Sequence, residues 1–501
     1  MRRNWCALSS TLLVAAALAA APAAAAVFFP SKTADTADGA CDADCSLREA
    51  VIAANAAAGS NVIVLGPGAY VLTRGGAGED AAATGDLDVT SDLTVLGAGA
   101  ASTIVDGAAL DRVFDVRPGA RLELIGVTVQ NGRVDADGGG AIRNAGALAL
   151  TRSVVSGSVS TTGPGGGILS AGTGVTLTVA ASTISGNSAR DGGGIAAHGA
   201  MTLVDSTLFG NSAANAGGGL YLYSRLSAVV DNATISGNHA AVEAGGAFAE
   251  GSAFLGPEVA ELRNTILAAN TAPQSPDCLS SVASGGYNLV GDPTGCIDFQ
   301  AAKHDLTGTA GAPLAPHLAP FGTNGGPTPT LAPLPTSPAI DAGNPAAPGS
   351  GGSSCDAIDQ RGEMRGGEAG RCDIGAVEAT GGCVPDAKAL CLNRSRFRVT
   401  AHWTIGPAGG VAQSGDANAV ALTGDTGYFW FFNPANVELT VKVLDACVSF
   451  DRYWVFLSGL TDVKVDITVT DTATGKMKTY GNPQGQAFAT KLDTSAFATC
   501  P

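Results

Sequence analysis

Charged side chains make up only 14% of the 501 residues, against about a quarter in ordinary domains. Hydrophobic residues stand at 45%, so the scarcity of charge does not signal disorder, which needs low hydrophobicity and usually high charge. Basic residues are scarcer still: 28 Lys and Arg face 44 Asp and Glu, a formal net charge of −16. Such a surface repels phosphate backbones and excludes nucleic acid as the partner. Histidine is nearly missing, at five residues, and the cysteine spacings are irregular, which argues against a zinc site. After residue 27 no apolar run approaches the roughly twenty residues of a membrane helix, so no transmembrane insertion is expected. Aromatic residues are 5% and unevenly placed, 14 of the 27 falling within 383–501.

Glycine is what the chain has in excess, with 69 residues, roughly twice ordinary usage. Clusters at Gly138-Gly139-Gly140, Gly165-Gly166-Gly167, Gly192-Gly193-Gly194, Gly217-Gly218-Gly219 and Gly245-Gly246 are spaced by 27, 27, 25 and 28 residues. Between them recurs a second phrase: Ser182-Thr183-Ile184-Ser185-Gly186-Asn187, Ser206-Thr207-Leu208-Phe209-Gly210-Asn211 and Ala233-Thr234-Ile235-Ser236-Gly237-Asn238, with a weaker copy at Asn264–Asn270. A period in the twenties, built of short apolar strands without a helical pattern, predicts a solenoid of β-coils. Asn187, Asn211 and Asn238 recur at equivalent places, where asparagine suits left-handed turns and stacked amides can bond between coils. A polar ligand groove is the competing reading of the same row; the structural ladder is preferred.

The N-terminus reads as a signal peptide over 1–26, with Met1-Arg2-Arg3 before an apolar stretch and small residues at Ala23 to Ala26. Removing it takes Cys6 and leaves ten cysteines in sequence-local pairs: Cys41 with Cys45, Cys278 with Cys296, Cys355 with Cys372, Cys383 with Cys391, and Cys447 with Cys500 as a long closure. Spacing suggests this pairing without fixing it. An even count in an exported chain points to a disulfide-bonded extracellular protein, secreted or attached to a cell surface.

Residues 27–60 form a lead-in and a cap. Ser46-Leu47-Arg48-Glu49 is a capping box, and Leu47, Ala50, Val51 and Ala54 follow at helical spacing, predicting a helix over about 46–57. Such a helix would cover the apolar end of the solenoid. From Asn61 short strands take over, and 61–380 is assigned to a parallel β-helix whose proline-rich later part is an irregular end pinned by disulfides. Residues 383–501 read as a separate antiparallel β-sandwich-like domain, in which Val437, Leu439, Val441 and Val443 alternate with Glu438, Thr440 and Lys442.

Candidate chemistry is thin. Asp205 and Asp231 lie 26 residues apart, one coil, and with His198 and Arg225 they are the weak candidates for catalysis. Asp86 with Asp88, and Asp135 with Asp137, are further acidic groupings. Asp35, Asp38, Asp42 and Asp44 could hold Ca2+ loosely, although no twelve-residue calcium loop is present and no other cofactor is expected. Trp403, Trp430 and Trp454 are candidates for stacking on a glycan, against the alternative of core packing.

Two longer motifs carry a resemblance. Cys45-Ser46-Leu47-Arg48-Glu49-Ala50 matches the CSLREA motif of secreted bacterial β-helix proteins. The run Asn324-Gly325-Gly326-Pro327-Thr328, Ser337-Pro338-Ala339-Ile340-Asp341-Ala342-Gly343-Asn344, Asp359-Gln360-Arg361-Gly362 and Asp373-Ile374-Gly375-Ala376-Val377-Glu378 resembles the choice-of-anchor Q domain. The resemblance covers much of 41–379. It implies a right-handed, pectin-lyase-like parallel β-helix, exported and often surface-attached by a signal after this domain, where this chain carries 383–501 instead. It implies no catalytic residue. The expectation is a non-catalytic β-helix protein, adhesin-like, structural or glycan-binding, whose partners are polysaccharides or cell-surface components. The alternative is a polysaccharide lyase or glycoside hydrolase acting on an acidic or other plant or microbial polysaccharide.

Overall fold

The computed structural model describes residues 25–500 except 77, 224–226, 252–259, 335, 367–370, 380–382, 384, 394–395, 407–411 and 473. The expected signal peptide, apart from Ala25 and Ala26, lies outside the described residues. Three parallel sheets of ten, ten and eight strands run side by side, each strand pairing with its counterpart one coil away. The first face includes Ala147–Thr151, Thr176–Ala180 and Ala200–Val204; the second, Val154–Ser156, Thr183–Ser185 and Thr207–Phe209; the third, Ile142–Asn144, Ile168–Ser170 and Ile195–Ala197. A ribbon of five two-residue strands runs between the second and third faces. This is a parallel β-helix.

Its interior is a stack of like on like. On the first face Leu148 pairs with Leu177 and then Met201, while Leu150 pairs with Val179 and then Leu203. On the second, Val155, Ile184, Leu208, Ile235 and Leu267 follow one another, all fully buried. Each such side chain contributes roughly 1.5–3 kcal/mol by leaving water, and the coils share one continuous core.

The repeated Gly-Asn phrase has separate jobs for its two residues. Gly186 takes φ +63° and turns the corner out of the second face. Asn187 then buries its amide: Nδ2 donates to Asn211 Oδ1 at 3.0 Å, Asn211 to Asn238 at 3.0 Å, and Asn238 to Asn270 at 3.0 Å. The asparagine row is the expected structural ladder. In the glycine clusters the requirement is space. A Cβ on Gly166 would lie 2.4 Å from the carbonyl oxygens of both Gly193 and Ser188. Coils stack there too closely for any side chain.

The N-terminal end is closed by helix α1, Leu47–Ala56, which buries Leu47, Ala50, Val51 and Ala54. The capping box is complete: Ser46 Oγ accepts the Glu49 N–H, and Glu49 Oε2 accepts the Ser46 N–H at 2.7 Å. Arg48 is fully buried beneath it. Its guanidinium donates to Asp35 at 2.6 and 3.2 Å and to the carbonyls of Ala82 and Gly85, each at 2.9 Å, fastening the helix to the first coil. The motif Ser46-Leu47-Arg48-Glu49-Ala50 is a capping device in every residue.

Beyond the last coils, residues 316–379 fold back along the outside of the second face as a strap. Its bonds go to the outward threonines of successive coils. Thr183 Oγ1 donates to the Pro329 carbonyl at 2.6 Å and Thr207 Oγ1 to Gln360 Oε1 at 2.6 Å, while the Ala376 N–H reaches Thr234 Oγ1 at 3.0 Å. Phe321 stacks on Phe209 with ring centroids 4.5 Å apart. The five cysteine pairs suggested by spacing are bonded in the structure.

Residues 389–497 form two five-stranded antiparallel sheets around one core. Phe397, Val399, Val465 and Ile467 of one sheet meet Phe429, Val441, Val443 and Val455 of the other. The alternation from 437 to 443 produces the strand Leu439–Asp445, which starts two residues later than the pattern. Among the described residues no helix is long and apolar enough to cross a membrane.

Candidate functional site: the outer row of the third face

Asp205 and Asp231 sit at the corner between the first and second faces, and both are consumed there. Asp205 is buried under the strap, where Arg365 donates to it at 2.6 Å; burial pushes its carboxyl well above the ordinary range although Arg365 pulls it down. Asp231 accepts from Arg263 at 2.7 Å and from Asn264 at 3.0 Å. His198 lies elsewhere, stacked on Tyr223 beside the third face, ring centroids 3.5 Å apart. The fourth candidate, Arg225, lies outside the described residues.

Of the candidate calcium residues, Asp35 is bound by Arg48 and by the N–H groups of Thr73 and Arg74 at 2.7 and 3.0 Å. Asp44 pairs with Lys32 at 2.7 Å, and Asp38 and Asp42 accept local backbone N–H groups. Among the described residues, no three His, Cys, Asp or Glu side chains converge as metal ligands would.

The tryptophans occupy separate places. Trp403 packs at the rim of the sandwich core, edge-on to Phe432. Trp430 and Trp454 belong to strands Thr426–Trp430 and Tyr453–Gly459 of the other sheet, where the inward residues are Phe429, Val455 and Leu457. By strand register they are about six residues apart, roughly 20 Å.

The third face carries a row that the sequence reading did not assemble. The middle residue of each strand points away from the coil interior, and register stacks them as Asp88, Asp115, Arg143, Leu169, Ala196, Tyr221 and Phe248; Arg143 and Phe248 are half-buried and the other five are buried. The first three are charged; the later ones are apolar or aromatic. Tyr221 stacks on Phe248 with centroids 4.8 Å apart, and Tyr223 leans on Tyr221 at 4.7 Å. Tyr221 also donates its hydroxyl to Glu250 at 2.8 Å, which fixes its ring. The spacing that would have disclosed the charged rungs is 27 and 28 residues, the same period as the glycine clusters.

A cleft of about 680 Å3 opens at the charged end, with Asp86, Asp115, Arg112, Arg117 and Arg143 in its walls. Arg112 Nε donates to Asp86 and its Nη1 to the Gly138 carbonyl at 3.0 Å. Arg117 holds Asp80 with two bonds of 2.7 and 3.0 Å and Asp115 with one of 2.9 Å. Arg143 binds Asp115 through both Nε, at 2.9 Å, and Nη2. The carboxyls respond in opposite directions. Burial pushes Asp86 up to about 7; Arg112 opposes this, and Asp111, Asp88 and Asp115 reinforce it. Burial likewise raises Asp88 to about 6. It would raise Asp115 too, but the hydrogen bond and charge of Arg143, with Arg112 and Arg117, hold that carboxyl below the ordinary range. One cleft thus holds a carboxyl protonated near neutrality beside one that stays ionised.

No family model matches the chain, and no curated protein matches it. Among solved structures it is similar to the crystal structure of pectate lyase Pel9A, at a TM-score of 0.38 and 14% identity, over 71% of this chain and 96% of that one.

Proposed function

We propose that this is an exported, non-catalytic glycan-binding protein of the extracellular space or cell surface, and that the third face is its ligand surface. One observation carries the reading: a single outward row passes from ionic side chains beside a cleft to stacked aromatic rings. Sugar rings present both kinds of surface, apolar C–H faces that stack on aromatics and hydroxyls that bond to carboxylates and guanidinium groups. Four register steps separate the half-buried rungs Arg143 and Phe248, about 19 Å, so one oligosaccharide can span both. Five disulfides support an oxidising compartment.

The test is a pull-down of the full chain on a panel of insoluble polysaccharides, repeated with Tyr223→Ala and Phe248→Ala. Retention on at least one polysaccharide, weakened about tenfold by either substitution, is expected. Retention on none, or retention unaffected by both substitutions, would sink the reading.

Hydrolysis is a second reading, favoured by the opposed carboxyls Asp86 and Asp115. Asp86 would give its proton to the leaving sugar oxygen while an ionised carboxylate takes one from the attacking water. Reducing ends released from the same panel, and abolished by Asp86→Asn, would establish it. Unsaturated products would point to a lyase instead.

A further inference from the structure

The cleft at the head of the third face holds more acid than its arginines can balance. Seven Asp and Glu residues line it against four Arg. Three of the arginines are already committed, Arg112 to Asp86, Arg117 to Asp80 and Asp115, and Arg143 to Asp115; the fourth, Arg133, is exposed and reaches Thr161 Oγ1 at 3.5 Å. The acids at the mouth are not neutralised in this way. Asp135 and Asp137 are both exposed, and Arg112 approaches Asp137 only to 3.7 Å, with the Asp137 side chain 72% exposed. On the inner wall Asp111 is buried and accepts the backbone N–H of Arg112 at 2.8 Å, a bond that brings no counter-charge.

A second observation points the same way from beneath. Asp88 is fully buried, and one of its oxygens accepts the Ala82 N–H at 3.0 Å. The other, Oδ1, has no hydrogen-bond partner and faces Nη1 of Arg117, a wall residue of the cleft, at 3.9 Å. Arg117 thus lies beside three carboxyls, Asp80, Asp88 and Asp115, and its positive charge is largely offset within the wall. The whole chain, at −16, adds to the repulsion of an anionic polymer.

We infer that the ligand of the third face is a glycan bearing free ammonium groups, an amino-sugar polymer with unacetylated residues. The ammonium seats at the cleft mouth between Asp135 and Asp137, and the following sugar rings lie along the row toward Tyr223 and Phe248. Uronate polymers are disfavoured, because their carboxylates would meet a mouth in which seven acids outnumber four arginines. The inference rests on the glycan-binding reading above and names its ligand class.

The experiment titrates the full chain by calorimetry, at mildly acidic pH, with three soluble probes: glucosamine oligomers, N-acetylglucosamine oligomers of the same length, and oligogalacturonate. Glucosamine oligomers are expected to bind at least about tenfold tighter than the acetylated ones. That preference should vanish at high salt and in the double variant Asp135→Asn, Asp137→Asn, whose exposed sites leave the melting temperature unchanged. Equal affinity for both oligomers, a preference for oligogalacturonate, or a preference surviving the double substitution would overturn the inference while leaving glycan binding intact. Failure of all three probes, together with an empty polysaccharide pull-down, would overturn both.

Discussion

Asp277 Oδ1 accepts both donors of Asn270, the backbone N–H at 3.1 Å and Nδ2 at 2.9 Å. Each ladder amide donates to the next coil, so the row must end on a group that accepts without donating. A carboxyl oxygen does that. A second row ends likewise, where Asn288 gives its N–H and its Nδ2 to Asp305 Oδ1, both at 3.0 Å.

Asp277→Ala is therefore expected to destabilise the chain by on the order of 3 kcal/mol. It strands the Asn270 N–H, one of the two Nδ2 hydrogens, whose other partner is the Ile235 carbonyl, and the Asp292 N–H, which Asp277 Oδ2 accepts at 2.7 Å. Asp277→Asn keeps the Oδ1 bonds and should cost less, on the order of 1 kcal/mol. Denaturant unfolding at unchanged slope checks both, and equal losses would refute the terminal-acceptor role.

Stability should peak in mildly acidic solution. Burial raises Asp86 to about 7 and Asp88 and Asp277 to about 6, from 3.8. The native state thus keeps protons that the unfolded chain has lost, and stability falls as pH rises from about 4 to about 7. Asp35, Glu49 and Asp115 go the other way. Burial opposes their charge, but Arg48, the Ser46 N–H and Arg143 respectively bond to them and hold them below their ordinary values. Their contribution is lost as pH drops below about 4. Melting curves across this range should show a maximum near pH 5; a melting temperature still climbing from 6 to 8 would contradict it.

Two glycines should respond very differently to alanine. Gly166→Ala places a Cβ 2.4 Å from two backbone carbonyl oxygens of the neighbouring coil and should prevent folding of the native solenoid. Gly174 has open space around its Cβ direction and only a φ of +72° to object, so alanine there should cost about 1 kcal/mol. Soluble yield and melting temperature separate the two cases.

Arg365 is completely buried between strap and solenoid, bonded to Asp205 and to the Gly375 carbonyl at 3.0 Å. Arg365→Ala leaves Asp205 without its buried counter-charge and should cost about 3–5 kcal/mol. Adding Asp205→Leu should recover part of that loss, because the stranded charge goes with it. Limited proteolysis within 316–379 should accelerate in the single variant and slow again in the double.

Much of the fold was legible because its causes are local. Gly186-Asn187 encodes a corner and a ladder rung in two adjacent residues, and Ser46 and Glu49 complete a capping box within one turn. The strap was not legible, because Thr207 and Gln360 meet across 153 residues and nothing in either neighbourhood names the other. The charged row escaped for a different reason. Asp88, Asp115 and Arg143 keep the period, but the first two lie in coils without the glycine clusters that made the repeat visible. Asp205 and Asp231 drew attention by the same periodicity, and it reflected a structural corner.

The strap changes how this solenoid would come apart under load. A stack in which each coil holds only its neighbours peels from its ends, one coil at a time. Gln360 grips two adjacent coils at once, accepting from Thr207 and donating to Thr183 at 2.9 Å, while Ala376 and Gly375 hold the next two through Thr234 and the Asn264 carbonyl. Four successive coils are therefore cross-braced like rungs sharing one rail. Tension along the axis must detach the rail before any single rung can leave.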